Sequence, residues 1–142
     1  MTSVLVDTSV LIKWFHEEGE QEVAAARALR DAHAAGALDA YVLDLAVYEV
    51  GNVLARALGW AGQRIHDQLL DLLAIVGPPV SMDPSWLRTA AAISEQHRLS
   101  FYDASWAACG QELGIPLVSA DRKLIASGLA LNPTSAAERL LT

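Results

Sequence analysis

Asp7, Glu49, Asp103 and Asp121 stand at structured junctions of an apolar chain, where ordinary surface charges have no reason to be. Three of them adjoin short apolar runs: Val4-Leu5-Val6 before Asp7, Leu99-Ser100-Phe101-Tyr102 before Asp103, and Pro116-Leu117-Val118-Ser119-Ala120 before Asp121. Glu49 lies inside an apolar helical pattern. Carboxylates gathered from distant parts of a chain repel, and burial strengthens the repulsion, so a fold that assembles them normally neutralises them with a divalent cation. Mg²⁺ or Mn²⁺ suits such a set. These ions prefer hard oxygen ligands and are commonly held by one or two carboxylates, with water and a substrate phosphate completing the shell. The chemistry implied is metal-assisted attack of water on a phosphate ester. Ser9 and Ser119 would add hydroxyl contacts beside the acids, or else satisfy local backbone.

Each acid also has a simpler explanation. Asp7, Asp103 and Asp121 all precede helical patterns, where a carboxylate satisfies free backbone amides as an N-cap. Capping and cation binding are compatible, since one oxygen can accept an amide while the other faces an ion. Glu49 shares a helical stripe with Asn52 and Arg56, at i+3 and i+7. Seven residues rise about 10 Å along a helix, too far for a tight pair with Arg56. Glu49 is therefore read as pointing into a pocket, with Asn52 orienting it, against the alternative of a polar edge on a surface helix.

The elements that must position these residues follow from apolar spacing and breakers. Ser3–Val6 reads as a buried strand, Tyr41–Leu43 as a second and Val80–Met82 as a third. Ile115–Ser119 is the clearest strand after the first, and Leu129–Leu131 is an edge candidate. Helices are expected from Gln21 to Ala35, closed by Gly36, then from Leu45 to Leu58 and from Gln63 to Val76. Asp83-Pro84 starts another helix, with a capping acid before proline at the first helical position. Further helices span Asp103–Leu113, Asp121–Ala126 and Ser135–Leu141. Strands alternating with helices predict an α/β protein, a three-layer α/β/α sandwich around a mainly parallel sheet of four or five short strands. Ligands of such sheets bind beyond the carboxyl ends of the strands, where Asp7 and Asp121 would share one rim.

With 142 residues, 53% of them hydrophobic and only 6% aromatic, the chain suits a single domain over residues 1–142 with an Ala-, Leu- and Val-rich core. Cys109 is the only cysteine, which excludes an internal disulfide and a multi-thiolate zinc site, and it reads as a core thiol. No membrane span or signal-peptide layout is visible, so the reading is cytoplasmic, with no membrane partner. The formal charge of −7 opposes broad electrostatic capture of nucleic acid.

In four stretches the sequence resembles the PIN-domain ribonucleases, and among them the VapC-type toxins of toxin–antitoxin pairs. These are Val6-Asp7-Thr8-Ser9-Val10-Leu11-Ile12, Tyr48-Glu49-Val50-Gly51-Asn52-Val53-Leu54, Tyr102-Asp103-Ala104-Ser105-Trp106-Ala107-Ala108 and Leu117-Val118-Ser119-Ala120-Asp121-Arg122-Lys123-Leu124. The resemblance implies a PIN fold, Mg²⁺- or Mn²⁺-dependent cleavage of RNA, and a site built from Asp7, Glu49, Asp103 and Asp121. It implies Asp7 and Asp103 as direct ligands, with Glu49 and Asp121 acting directly or through water. Ser119 stands where the family often has threonine. A cognate antitoxin and a homodimer are implied as well, with the helices Gln21–Ala35 or Leu45–Leu58 offering apolar docking faces.

Rival readings differ at specific residues. A haloacid-dehalogenase-like phosphatase needs a second acid two residues after the first, where this chain has Ser9. A Mg²⁺-binding phosphoacceptor domain needs an early acid pair, and none is present. A catalytically inactive PIN-fold binding module would keep the fold while losing acids, and here all four remain.

Overall fold

The computed structural model describes residues 1–141. Strand β1 (Ser3–Val6) lies at the centre of a parallel sheet of order β2-β1-β3, between β2 (Asp39–Tyr41) and β3 (Leu117–Val118). Ser3 stands opposite Asp39 on one side, and Val6 opposite Val118 on the other. Successive strand residues point to opposite faces, and Val4, Leu5 and Val6 are all fully buried, so both faces of the sheet are covered.

The sheet has three strands where four or five were expected. The Val80–Met82 and Leu129–Leu131 segments each contribute a single parallel bridge, Leu43 with Val80 and Val118 with Leu131. Breakers explain the shortening. Pro78 and Pro79 precede Val80 and offer no N–H, while Asp83-Pro84 and Asn132-Pro133 follow the two segments and turn the chain into helices. Val80 pairs in full, donating to the Val42 carbonyl and accepting from the Asp44 amide.

The helices are α1 (Thr8–Leu11), which runs into a 3-10 turn at Ile12–Trp14, α2 (Val23–Ala34), α3 (Leu45–Asn52), α4 (Gly62–Val76), α5 (Leu87–His97), α6 (Phe101–Leu113), α7 (Arg122–Ala126) and α8 (Pro133–Leu140). The expected Leu45–Leu58 helix is present, but after Asn52 it widens into a π-helical stretch, Val53–Ala57. Helix α6 begins at Phe101 and not at Asp103, because the Ser100 hydroxyl accepts the Asp103 amide and acts as N-cap. Asp103 is thereby relieved of capping. No helix among the described residues is long and apolar enough to cross a membrane.

Helix α6 is the central support of the fold. Every residue from Ala104 to Gly110 is buried, so this stretch is enclosed on all sides. Small side chains let the strand approach it: a Cβ on Gly110 would stand 3.2 Å from the Ile115 carbonyl oxygen and 3.6 Å from the Leu117 Cβ. Cys109 is fully buried in the same stretch, and burial, with the Asp44 charge, pushes its thiol up to about 11, as befits an inert core residue. Gly110→Val should therefore destabilise the chain by about 1–3 kcal/mol through overpacking against β3. A urea midpoint equal to that of the wild type would refute the close α6–β3 approach.

Candidate active site

Asp7 leaves β1 at its carboxyl end, and its amide donates to the Val118 carbonyl at 3.1 Å, the last rung between β1 and β3. The next turn of chain ties the two strand ends together through side chains. Ser9 Oγ donates to Asp7 Oδ1 at 2.6 Å and accepts the Ala120 amide at 2.8 Å. Its oxygen lies 3.4 Å from Ser119 Oγ, which accepts the Asp121 amide at 2.9 Å. Both serines thus join the β1 and β3 termini. Asp121 caps α7, its Oδ1 accepting the Lys123 and Leu124 amides at 2.8 and 3.1 Å. Asp7, in contrast, makes no side-chain capping bond to α1.

Glu49 reaches the same place from α3. Its Oε1 accepts from Thr8 Oγ1 at 2.9 Å and from the buried Trp106 indole N–H at 2.7 Å. Asn52, expected to orient Glu49, is exposed on the next turn and makes no hydrogen bond to it. Thr8 and Trp106 do that work instead. Trp106 reads from sequence as core packing, yet it lies three residues after Asp103 and so shares its helix face. That spacing was the available signal.

Asp7, Glu49, Asp103 and Asp121 line one cavity of about 210 Å³, together with Thr8, Ser9 and Trp106. Glu49 takes its protein donors on Oε1 and Asp121 on Oδ1, and the second oxygen of each receives no hydrogen bond among the described residues, while Asp7 takes the Ser9 hydroxyl on Oδ1 with the Ser119 hydroxyl and the Val10 amide also beside its carboxyl. The Asp103 carboxyl has the Ser100 hydroxyl beside it. The electrostatic cost of the assembly is visible in the acids. Burial above all, with a contribution from the Glu49 charge, pushes the Asp7 carboxyl up to about 7 against the pull of the Ser119 and Ser9 hydroxyls. Asp103 is also raised, first by burial and then by the charges of Asp121 and Glu49.

The donor set fits a hard divalent cation, being carboxylate and hydroxyl oxygens throughout. Among the described residues no three His, Cys, Asp or Glu side chains form a group able to hold an ion by themselves. The fit is accordingly that of an open site, where one or two carboxylates bind directly and water or phosphate oxygens complete the shell. A tight four-carboxylate cage is not present.

The Asp7 carboxyl rises from 3.8 to about 7 on folding, so the native chain binds its proton more tightly than the unfolded chain does. Stability from this group is full below about pH 4 and is lost as pH rises towards 7, a cost on the order of 4 kcal/mol above that. In chelator, Asp7→Asn should raise the urea midpoint at pH 8 and leave it nearly unchanged at pH 4. Parallel pH profiles for the two proteins would show that Asp7 is not strained by burial.

Comparison with known proteins agrees with this architecture. The PIN domain model matches residues 4–127. The structure of PAE2754 from Pyrobaculum aerophilum is similar with a TM-score of 0.72 and 26% identity, covering 99% of this chain and 90% of that one. A toxin–antitoxin complex from Klebsiella pneumoniae shares the fold with a TM-score of 0.67 and 17% identity, over 92% of this chain and 97% of that chain. FitAcB from Neisseria gonorrhoeae does so with a TM-score of 0.67 and 19% identity, over 92% and 98%. No curated protein matches the sequence. With a parallel sheet whose strand ends and flanking helices carry four acids into one cavity, the chain belongs to the PIN domain family.

Proposed function

We propose that the chain is a Mg²⁺- or Mn²⁺-dependent endoribonuclease and the toxin half of a toxin–antitoxin pair. What carries the assignment is the convergence of four carboxylates, from four separate segments, on one cavity in which Glu49 and Asp121 each keep one oxygen free of protein donors. An ion bound there supplies Lewis acidity, activating water and offsetting charge on the phosphate. Asp7 and Asp103 are its direct ligands in this reading, with Glu49 and Asp121 acting directly or through water.

The chain's own part is to hold the acids still. Thr8 and Trp106 fix Glu49 from two sides, Ser9 fixes Asp7, and the amides of α7 fix Asp121. Preorganised carboxylates need not reorient when substrate arrives, which is the main way a protein lowers such a barrier. Ser119 acts behind them by holding the Asp121 backbone. The Asp7 and Asp103 carboxyls are raised first by burial and then by their acidic neighbours, so their charged forms are the ones a cation would relieve most.

The fold shared with the Klebsiella pneumoniae toxin–antitoxin complex supports an antitoxin partner; RNA as substrate and a homodimer as the working form belong to the same proposal. A basic side chain from an antitoxin would enter the acidic cavity and exclude cation and RNA together. Of the two helices expected to offer a docking face, α2 buries Ala26 and Leu29, while α3 exposes Tyr48, and Leu87 and Phe101 are exposed on neighbouring helices.

Purified protein incubated with total RNA and Mn²⁺ should cleave it, while chelator or Asp103→Asn should abolish cleavage. Equal cleavage in all three would overturn the assignment. Trp106→Phe removes a charge-assisted hydrogen bond to Glu49 and should lower kcat/KM by roughly tenfold or more. Unaltered kcat/KM in a folded variant would remove Trp106 from any positioning role.

A further inference from the structure

Two tyrosines stand directly before two of the site acids in the chain, Tyr48 before Glu49 on α3 and Tyr102 before Asp103 on α6. A step of one residue turns a helix by about 100°, so each ring sits beside the acidic cavity and not within it. Both are left in water, Tyr48 at 75% and Tyr102 at 62% exposure. Together with Leu45, Glu49 and Asn52 they line a second hollow of about 370 Å³, and Glu49 also lines the acidic cavity. The two hollows are therefore neighbours with one shared wall.

We propose that the hollow between Tyr48 and Tyr102 is a nucleobase subsite, holding a base of the RNA strand next to the phosphate under attack. The proposal rests on the nuclease reading above and assigns a role to residues outside the acidic cavity. The lining contains no Lys or Arg, and its only charge is the Glu49 carboxylate, so a phosphate is repelled there. Two phenol rings and the Leu45 side chain in the lining suit a flat neutral ring, since stacking is available to any base. Asn52 is exposed and carries both a donor and an acceptor, which fits the edge of a base. This gives Asn52 a reason to stand one turn from Glu49 without touching it. A chain of charge −7 gains little from attracting the backbone at large, so holding bases is a suitable alternative source of affinity.

The test compares a labelled mixed-sequence RNA with a wholly abasic oligomer of the same length, by fluorescence polarisation in Mn²⁺ on the Asp103→Asn background. Cleavage of the same RNA by the otherwise native chain is followed in parallel. The base-bearing strand should bind roughly tenfold or more tightly than the abasic one. Tyr48→Ala and Tyr102→Ala should each erase most of that difference and raise KM more than they lower kcat, whereas Tyr102→Phe should retain both. Ala variants that still discriminate bases, or an abasic strand bound equally well, would overturn the subsite while leaving cleavage and the nuclease reading intact. Base-dependent binding without any cleavage would keep the subsite and sink the nuclease reading. If Tyr48→Ala instead halves the mass measured by light scattering and leaves base discrimination alone, the face belongs to a second copy of the chain and the proposal fails.

Discussion

The pairing of β1 with β3 is the constraint on which the site depends. These two strands are distant in sequence yet adjacent and parallel, so their carboxyl ends emerge on one rim. The last backbone rung, from the Asp7 amide to Val118, sets the height at which both chains leave the sheet. Beyond it the Ser9 and Ser119 hydroxyls continue the connection into the loops, which holds Asp7 and Asp121 in fixed relation. The covered sheet supplies rigidity, and α6, buried over seven successive residues, presses against β3 from behind. Such elements give the cavity a packed frame, as the proposed charge-based catalysis requires.

The same geometry carries an electrostatic penalty. Four carboxylates in one cavity repel, and the buried Asp7 bears most of the strain because it has lost its water. Glu49 and Asp121 are each held by protein donors through a single oxygen, which fixes its direction while leaving the second oxygen uncommitted. A buried carboxylate satisfied on both sides would be more comfortable and chemically inert. The fold gives up stability at these positions, as functional sites commonly do.

The surroundings of the cavity divide by chemistry. Towards the sheet lie hydroxyls and amides that orient acids; towards solvent lie the phenol rings of Tyr48 and Tyr102, followed by the apolar side chains of Leu87 and Phe101. Large apolar groups left in water next to a polar cavity are the kind of surface that the proposed ligand would cover. The acidic charge of the chain points in the same direction, since recognition by attraction to phosphate would require a basic face.

Much of this was legible in the sequence. Apolar runs ending in acids gave the first strand and Asp7, the run before Asp121 gave the last, and proline and glycine marked most helix ends, because these signals are local. Residues Val80 and Leu131 reduced to single bridges show the limit of that reading: strand length depends on the neighbour and on the breakers at both ends. Ser100 displaced Asp103 as helix cap for the same reason, an outcome settled by competition between two adjacent residues. The partners of Glu49 were beyond reach. Asn52 was the neighbour in sequence, but Thr8 and Trp106 are the neighbours in space, 41 and 57 residues away along the chain. Residue types and helical phase singled out the four acids; only the packing of α3 against α1, and the reach of the Trp106 indole from α6, decided what would hold Glu49, because hydrogen bonds between distant segments exist only once the chain has folded.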